Sequence, residues 1–377
     1  MVALGLFLMP LHPPARDLTT VLEEDRDLVR LADRLGYAEA WMGEHYTSTG
    51  EPVTSPLLFN ASLIAETERI TFATGVISLP QQHPVVVAGH VALFDHLARG
   101  RCIFGIGSGG LSCDWEVFGN LDGRDRGLAM VESIELILKL WTEDPPFRHD
   151  GTYFKASLED RIIPELGVGR LIRPYQKPHP PIAVSLRAAN SYTARQAGSR
   201  GWIPVSGNFI PAADIATHWP TYVAGAEEAG RRPDPSLWRV GRSVLVTDSD
   251  AEAEDILTDP DGVFTRYYTY LNVHGRMAGG DLSKDIDWAA ARVAAEKTAR
   301  SLVIAGSAAT VLDRLVAFRD EVGDFGTLMV TGHDMEGMHD LWMRSFTRLA
   351  EDVGPKLSRY MDAHRGRAAA SPSAAAD

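Results

Sequence analysis

Apolar positions in this chain fall into short uninterrupted runs, separated by longer stretches in which they recur at helical spacing. The first run, 2–8, is closed by Pro10 and Pro13-Pro14, and residues 18–35 then carry apolar side chains about one helical turn apart until Gly36 stops them. Strand-like runs follow at 38–42, 70–76, 102–106, 182–185, 202–205, 240–246 and 327–330. Between them stand helical patterns at 56–66, 85–97, 128–140, 190–197 with Gly198 as its stop, 212–229, from 251 onward, and 338–353. Eight alternations predict an α/β fold, a TIM (β/α)8 barrel with insertions. A doubly wound sheet more often ends at fewer strands.

Two segments break the rhythm. Prolines and glycines crowd 144–180, where 147–154 reads as a hairpin. Residues 259–300 form a polar and aromatic excursion containing Gly275, Gly279 and Gly280, too long for an ordinary loop and so expected to be functional or mobile. The expected organisation is a single barrel over 1–362 carrying these insertions near 144–180 and 259–300. An Ala-, Ser-, Gly- and Pro-rich tail, 363–377, is expected to be disordered.

Composition narrows the partners. With 37 Lys and Arg against 50 Asp and Glu, the net charge is -13, which argues against nucleic acid because phosphate backbones are bound by cationic side chains. The two cysteines, Cys102 and Cys113, have no metal-ligand spacing and suggest neither a disulfide scaffold nor a metal site. No apolar run approaches membrane-spanning length, and 1–9 lacks the basic start of a signal peptide. A cytoplasmic setting without membrane attachment is expected.

Three places carry candidate chemistry. The apolar run at 38–42 passes abruptly into Gly43-Glu44-His45-Tyr46, an ionisable pair where a barrel strand would open on its mouth. Neighbours on a strand point in opposite directions, so only His45 is expected to enter a pocket unless the strand has already ended. Gly105-Ile106-Gly107-Ser108-Gly109-Gly110 satisfies the dinucleotide fingerprint. It follows the fourth strand instead of the first, and no helix opens at its third glycine, so a Rossmann site is disfavoured. A wall without side chains would instead let a flat ligand approach the backbone. Third, the segment 185–191 crosses from a strand into a helix and offers Arg187, Asn190 and Ser191 either as phosphate donors or as helix caps. The glycine run beside it tips the balance toward phosphate. His12, in a proline-rich setting, reads as a surface residue, and Trp115, Phe147, Phe209, Tyr267, Tyr268 and Tyr270 are candidates to line an apolar pocket.

Taken together, these residues resemble the bacterial luciferase-like flavin monooxygenases over nearly the whole chain. Glu44-His45-Tyr46 is similar to the family's Glu-His-His, and 74–84, 95–101 and 104–119 resemble its third and fourth units. The placement of the 147–154 hairpin is similar to that in limonene and diketocamphane monooxygenases. The resemblance implies a TIM-like barrel that binds FMN, delivered as FMNH2 by a separate NAD(P)H:flavin reductase. Reaction with O2 would then give a peroxyflavin that oxygenates a lipophilic terpene, ketone, alkene or aldehyde.

Position by position, it implies catalytic roles for His45, with Glu44 in support, and a non-proline cis peptide at Gly75-Val76 under the flavin. Gly107, Ser108, Gly110 and Leu111 would flank the flavin, while Arg187, Asn190 and Ser191 would hold its phosphate. Where luciferase has a cysteine and an arginine in the fourth loop, this chain has Gly107 and Ser108, which leaves the phosphate more dependent on Arg187. Alternatives on the same barrel are a deazaflavin-dependent hydride-transfer oxidoreductase and a non-catalytic flavin-binding subunit. A homodimer through Ala61, Ser62 and Ala65 is also expected.

Overall fold

A computed structural model describes residues 2–120, 125–280 and 285–365. Eight strands form its centre: β1 (Ala3–Leu8), β2 (Glu39–Met42), β3 (Thr71–Thr74), β4 (Cys102–Gly107), β5 (Ile182–Leu186), β6 (Ile203–Ser206), β7 (Arg239–Arg242) and β8 (Thr327–Gly332). Each pairs in parallel with the next, and β8 returns to β1. The pairing of Phe72 with Cys102 joins β3 to β4, so the sheet closes into the expected barrel.

Closure explains why the strands are uninterrupted apolar runs. A parallel sheet wrapped by helices buries both faces. Trp41, Ala73, Ile103, Ala183, Ile203 and Met329 form one cluster with Phe7, while Leu6, Met42, Phe72 and Leu328 belong to the larger core shared with the helices. A Cβ on Gly5 would lie 2.5 Å from Met329 Sδ, so β1 needs glycine opposite that side chain. The one carboxylate within the eight barrel strands, Glu39, is neutralised where it is buried by Arg239 at 2.5 Å and accepts a bond from Trp41 Nε1.

Several elements differ from their sequence patterns for identifiable reasons. Gly198 does not end its helix, which runs Tyr192–Arg200 and stops at Gly201 with φ 70°. A Cβ on Gly198 would lie 2.0 Å from the carbonyl oxygen of Tyr222, so this glycine permits close approach of the helix His218–Glu228. Gly198→Ala is expected to destabilise the protein by about 1–3 kcal/mol, read as a lower urea midpoint at unchanged m-value. The helix expected over 56–66 is split into Pro56–Ala61 and a 3-10 turn at Ile64–Glu66.

The run 240–246 is divided at Ser243. Its second half, Val244–Val246, leaves the barrel and pairs with Ile304–Gly306, a strand the sequence pattern did not reveal. The excursion expected over 259–300 contains the helices Val263–Ala278 and Trp288–Leu302, packed against each other. The other insertion is the expected hairpin, Phe147–Asp150 with Lys155–Leu158. At the carboxyl end the helix Gly354–Ala363 is followed by His364, whose carbonyl accepts from Arg319 Nη2 at 2.8 Å. Residues 366–377 of the expected tail lie outside the described residues. Among the described residues no helix is long and apolar enough to cross a membrane.

Candidate active site

The paired strand β2 ends at Met42, two residues before Glu44. Glu44 and His45 therefore do not diverge as strand neighbours would, and both face a cavity of about 350 Å³ at the carboxyl ends of the strands. Phe7, Trp41 and Met329 line it, with Gly75, Val76, Gly107, Ser108 and Gly110 forming one wall. The Gly75-Val76 peptide is cis. Gly105 serves a different purpose: a Cβ there would lie 1.8 Å from Thr74 O, so it allows contact between strands and does not border the cavity.

His45 stands between two carboxylates that sequence reading did not single out. Its Nδ1 lies 3.4 Å from Asp114 and its Nε2 3.5 Å from Glu51. The second distance is long for a hydrogen bond, which leaves Nε2 available to a group in the cavity. Asp114 sits on a short helix, Ser112–Val117, and accepts from the Thr47 N–H at 2.8 Å and the Thr47 hydroxyl at 2.5 Å. Burial works against its charge, yet these bonds and His45 hold its carboxyl below the ordinary range.

Burial likewise opposes charge on His45, but Asp114, Glu51 and Glu44 outweigh it and raise the imidazole pKa. Glu51 accepts from Tyr270 Oη at 2.5 Å, and burial pushes its own pKa up. Neither Asp114 nor Glu51 carries a sequence signal, since each stands alone in a loop or short turn without a recurring spacing.

Glu44 is tied down by the Ser78 N–H at 2.9 Å and the Gln82 side-chain amide at 2.9 Å. Burial raises its pKa from 4.5 to about 7 against those two donors. Between these values the folded protein binds more protons than the unfolded chain, so stability falls as pH rises through that window. Glu44→Gln is expected to flatten this loss by on the order of 1–3 kcal/mol, measured as unfolding free energies at the two ends of the window.

Arg187 follows β5 directly and reaches into the cavity, where a Cβ on Gly110 would lie 3.2 Å from its Nη1. Its guanidinium lies 5.8 Å from the Phe209 ring, and no carboxylate pairs with it among the described residues. The loop behind it is braced by His218 Nε2 donating to Ala188 O at 2.8 Å and by the Asn190 N–H donating to Thr217 Oγ1 at 2.8 Å. Ser191 starts the helix without capping it through its side chain.

Glu44, His45, Gly75, Val76, Gly107, Ser108, Gly110 and Arg187 thus meet in one cavity. Leu111, Asn190 and Ser191 lie outside its walls, Leu111 because it is buried ahead of the short helix and the other two because they stand at the start of theirs. Of the aromatic candidates, Phe209, Tyr267 and Tyr270 line the cavity, while Tyr268 is buried in the core and Trp115 lies under Arg126. Asn208 and His274 line it as well, unflagged by the sequence. His12 is 2 % exposed between Asp25 and Asp334, contrary to the surface position expected of it. Among the described residues no group of His, Cys, Asp and Glu is arranged to hold a metal ion.

Fold and mouth together define the class, a (β/α)8-barrel enzyme with its ionisable residues and open cavity at the carboxyl ends of the strands. Within that class the chain belongs to the luciferase-like monooxygenase family, whose model matches residues 2–324. It is 33% identical over 371 residues to 4-hydroxyprotoasukamycin monooxygenase of Streptomyces nodosus subsp. asukaensis, covering 96% of this chain and 94% of the relative. Limonene 1,2-monooxygenase of Rhodococcus erythropolis is 27% identical, with 95% and 89% of the two chains covered. Among solved structures, the oxygenating constituent of 3,6-diketocamphane monooxygenase from Pseudomonas putida, a type II Baeyer-Villiger monooxygenase in complex with FMN, superposes with a TM-score of 0.81. Identity there is 28%, over 94% of this chain and 98% of that one.

Proposed function

We propose that the protein is the oxygenase of a two-component system: it takes reduced FMN from a separate NAD(P)H:flavin reductase, uses O2, and oxygenates a lipophilic small molecule. The observation that carries this reading is the Arg187 guanidinium, which has no carboxylate partner among the described residues and faces a wall of glycines in the same cavity as the His45 cluster. The residues present fit a flavin mononucleotide. Arg187 would hold its phosphate, and Gly75-Val76 and Gly107 to Gly110 would lie against its ring system, because side chains are missing where the ring must approach. When bound, the flavin supplies the activation of O2.

The chain's own residues do the rest. Phe7, Trp41 and Phe209 offer an apolar surface to the substrate and exclude water. Asp114 orients the imidazole of His45 at Nδ1, and Nε2 supplies or removes the proton on the reacting oxygen. One oxygen atom enters the substrate and the other leaves as water.

The test is turnover with reductase, NAD(P)H, FMN and 18O2 over a panel of terpenes, alkenes, aldehydes and cyclic ketones, followed by mass spectrometry. One labelled oxygen per product is expected. Substrate oxidation without label would overturn the reading in favour of deazaflavin-type hydride transfer, and flavin binding without any product would favour a non-catalytic subunit. The reading includes a homodimer. Leu58, Val86, Leu93 and Leu97 are exposed, the last three on one face of the helix Pro84–Leu97, and Ser62 and Ala65 lie exposed nearby. Sedimentation is expected to give twice the chain mass, and Leu93→Asp to give the monomer.

A further inference from the structure

His45 and Glu51 border a second void, separate from the large cavity. It measures about 10 Å³, close to the space one water molecule needs, and Asp25, Met9 and Gly43 also line it. Two carboxylate oxygens, Asp25 Oδ1 and Glu51 Oε1, are buried without a hydrogen-bond partner among the described residues, in residues only 1 % and 3 % exposed. A buried oxygen left unpaired is costly, and a water donating to both would satisfy the pair.

Beyond Asp25 the polar groups continue. His12 Nε2 lies 3.4 Å from Asp25 Oδ2, and His12 Nδ1 lies 2.8 Å from Asp334 Oδ1. Asp334 in turn accepts from Arg16 Nη1 at 2.7 Å and pairs with Arg266 at 3.5 Å, where Arg266 is 38% exposed. Arg16 also holds the partly exposed Glu24. The loops carrying the two ends are tied together by the His12 N–H donating to Gly50 O at 2.8 Å.

We propose that a water held between Asp25 and Glu51 completes a proton relay. It runs from the surface beside Asp334 through His12 and Asp25 to Glu51 and His45 Nε2. The inference rests on the oxygenase reading. Reduced flavin arriving as its anion, O2 and substrate need one proton per turnover, which leaves in the product water, and a cavity closed around its ligands has to receive that proton through protein groups. An imidazole accepts a proton at one nitrogen and releases one from the other, and His12 has a carboxylate at each. Burial opposes charge on His12, yet Asp25 and Asp334 raise its pKa to about 9. Burial also pushes Asp25 up, the direction that lets it take the proton on. Glu24, Arg16 and Arg266 are the other charged groups that face this end, and although burial opposes charge on Asp334, His12 and Arg16 hold its carboxyl below the ordinary range.

The full chain, His12→Gln and Asp25→Asn test the relay in three ways. A crystal structure should show a water touching Asp25 and Glu51; a dry void overturns the bridge. In flavin-free protein, 15N titrations of His12 and His45 should be coupled and become independent in Asp25→Asn. Independent curves in the unaltered protein overturn the relay whether or not the protein proves to be an oxygenase. With flavin and substrate, both variants should keep FMN affinity, turn over about tenfold more slowly or worse, and recover with rising concentrations of a small buffer such as imidazole, to which the unaltered protein is indifferent. Slower turnover without buffer rescue reduces the cluster to scaffolding and overturns the relay. Absence of oxygenation in the unaltered protein counts against the oxygenase reading alone.

Discussion

His45→Ala is expected to fold, bind flavin with little change, and lose about 10²- to 10⁴-fold in kcat, the range that a positioned acid or base contributes. His45 touches the cavity from a loop, so truncation removes no core packing, and circular dichroism should be unaltered. The pH profile adds a second check. Asp114, Glu51 and Glu44 hold the imidazole above its ordinary 6.5, so the protonated form persists past that pH and is lost as pH rises through the higher folded value. Activity that needs the proton follows the same limb. Asp114→Asn should pull that limb toward lower pH, because it removes the carboxylate facing Nδ1. Unchanged turnover in His45→Ala would remove this residue from the mechanism.

Arg187→Ala is expected to weaken FMN binding by about 2–5 kcal/mol, the cost of truncating one partner of a desolvated charge pair, which is about 30-fold or more in Kd. Riboflavin, which lacks the phosphate, separates the cause from general damage. The unaltered protein should prefer FMN to riboflavin, and Arg187→Ala should abolish the preference while leaving riboflavin affinity nearly unchanged. Arg187→Lys should restore only part of it, since an ammonium cannot offer the planar pair of donors. Equal FMN affinity in all three proteins would place the phosphate elsewhere.

Both predictions rest on residues that the amino-acid sequence itself marks out. His45 interrupts an apolar run where a barrel opens, and Arg187 closes a strand that leads into a helix, so strand-end position alone carried functional weight. Glu51 and Asp114 offered no such signal. Each is a solitary carboxylate in a loop or short turn, and its meaning comes from lying beside His45 across a large sequence separation. His12 was misjudged for the complementary reason. Its neighbours Pro13 and Pro14 suggest surface, whereas Asp25 and Asp334, the latter far along the chain, bury it.

Local pattern, read along the chain, determined the eight strands, most of the helices between them, the hairpin insertion and the glycine wall. Those features depend on hydrophobic period and on backbone freedom, which act over a few residues. Tertiary structure alone decided that Gly198 spaces two helices instead of ending one, that 240–246 divides at Ser243, and that the excursion near 259–300 is helical and brings Tyr270 to Glu51. It also determined the use of the opening pair. Because β2 ends at Met42, Glu44 and His45 share one cavity, and a helix arriving from beyond β4 presents Asp114 to the imidazole. Side-chain direction at a strand end and the charge around a buried group are set by what packs there from elsewhere in the chain, and no local spacing encodes that.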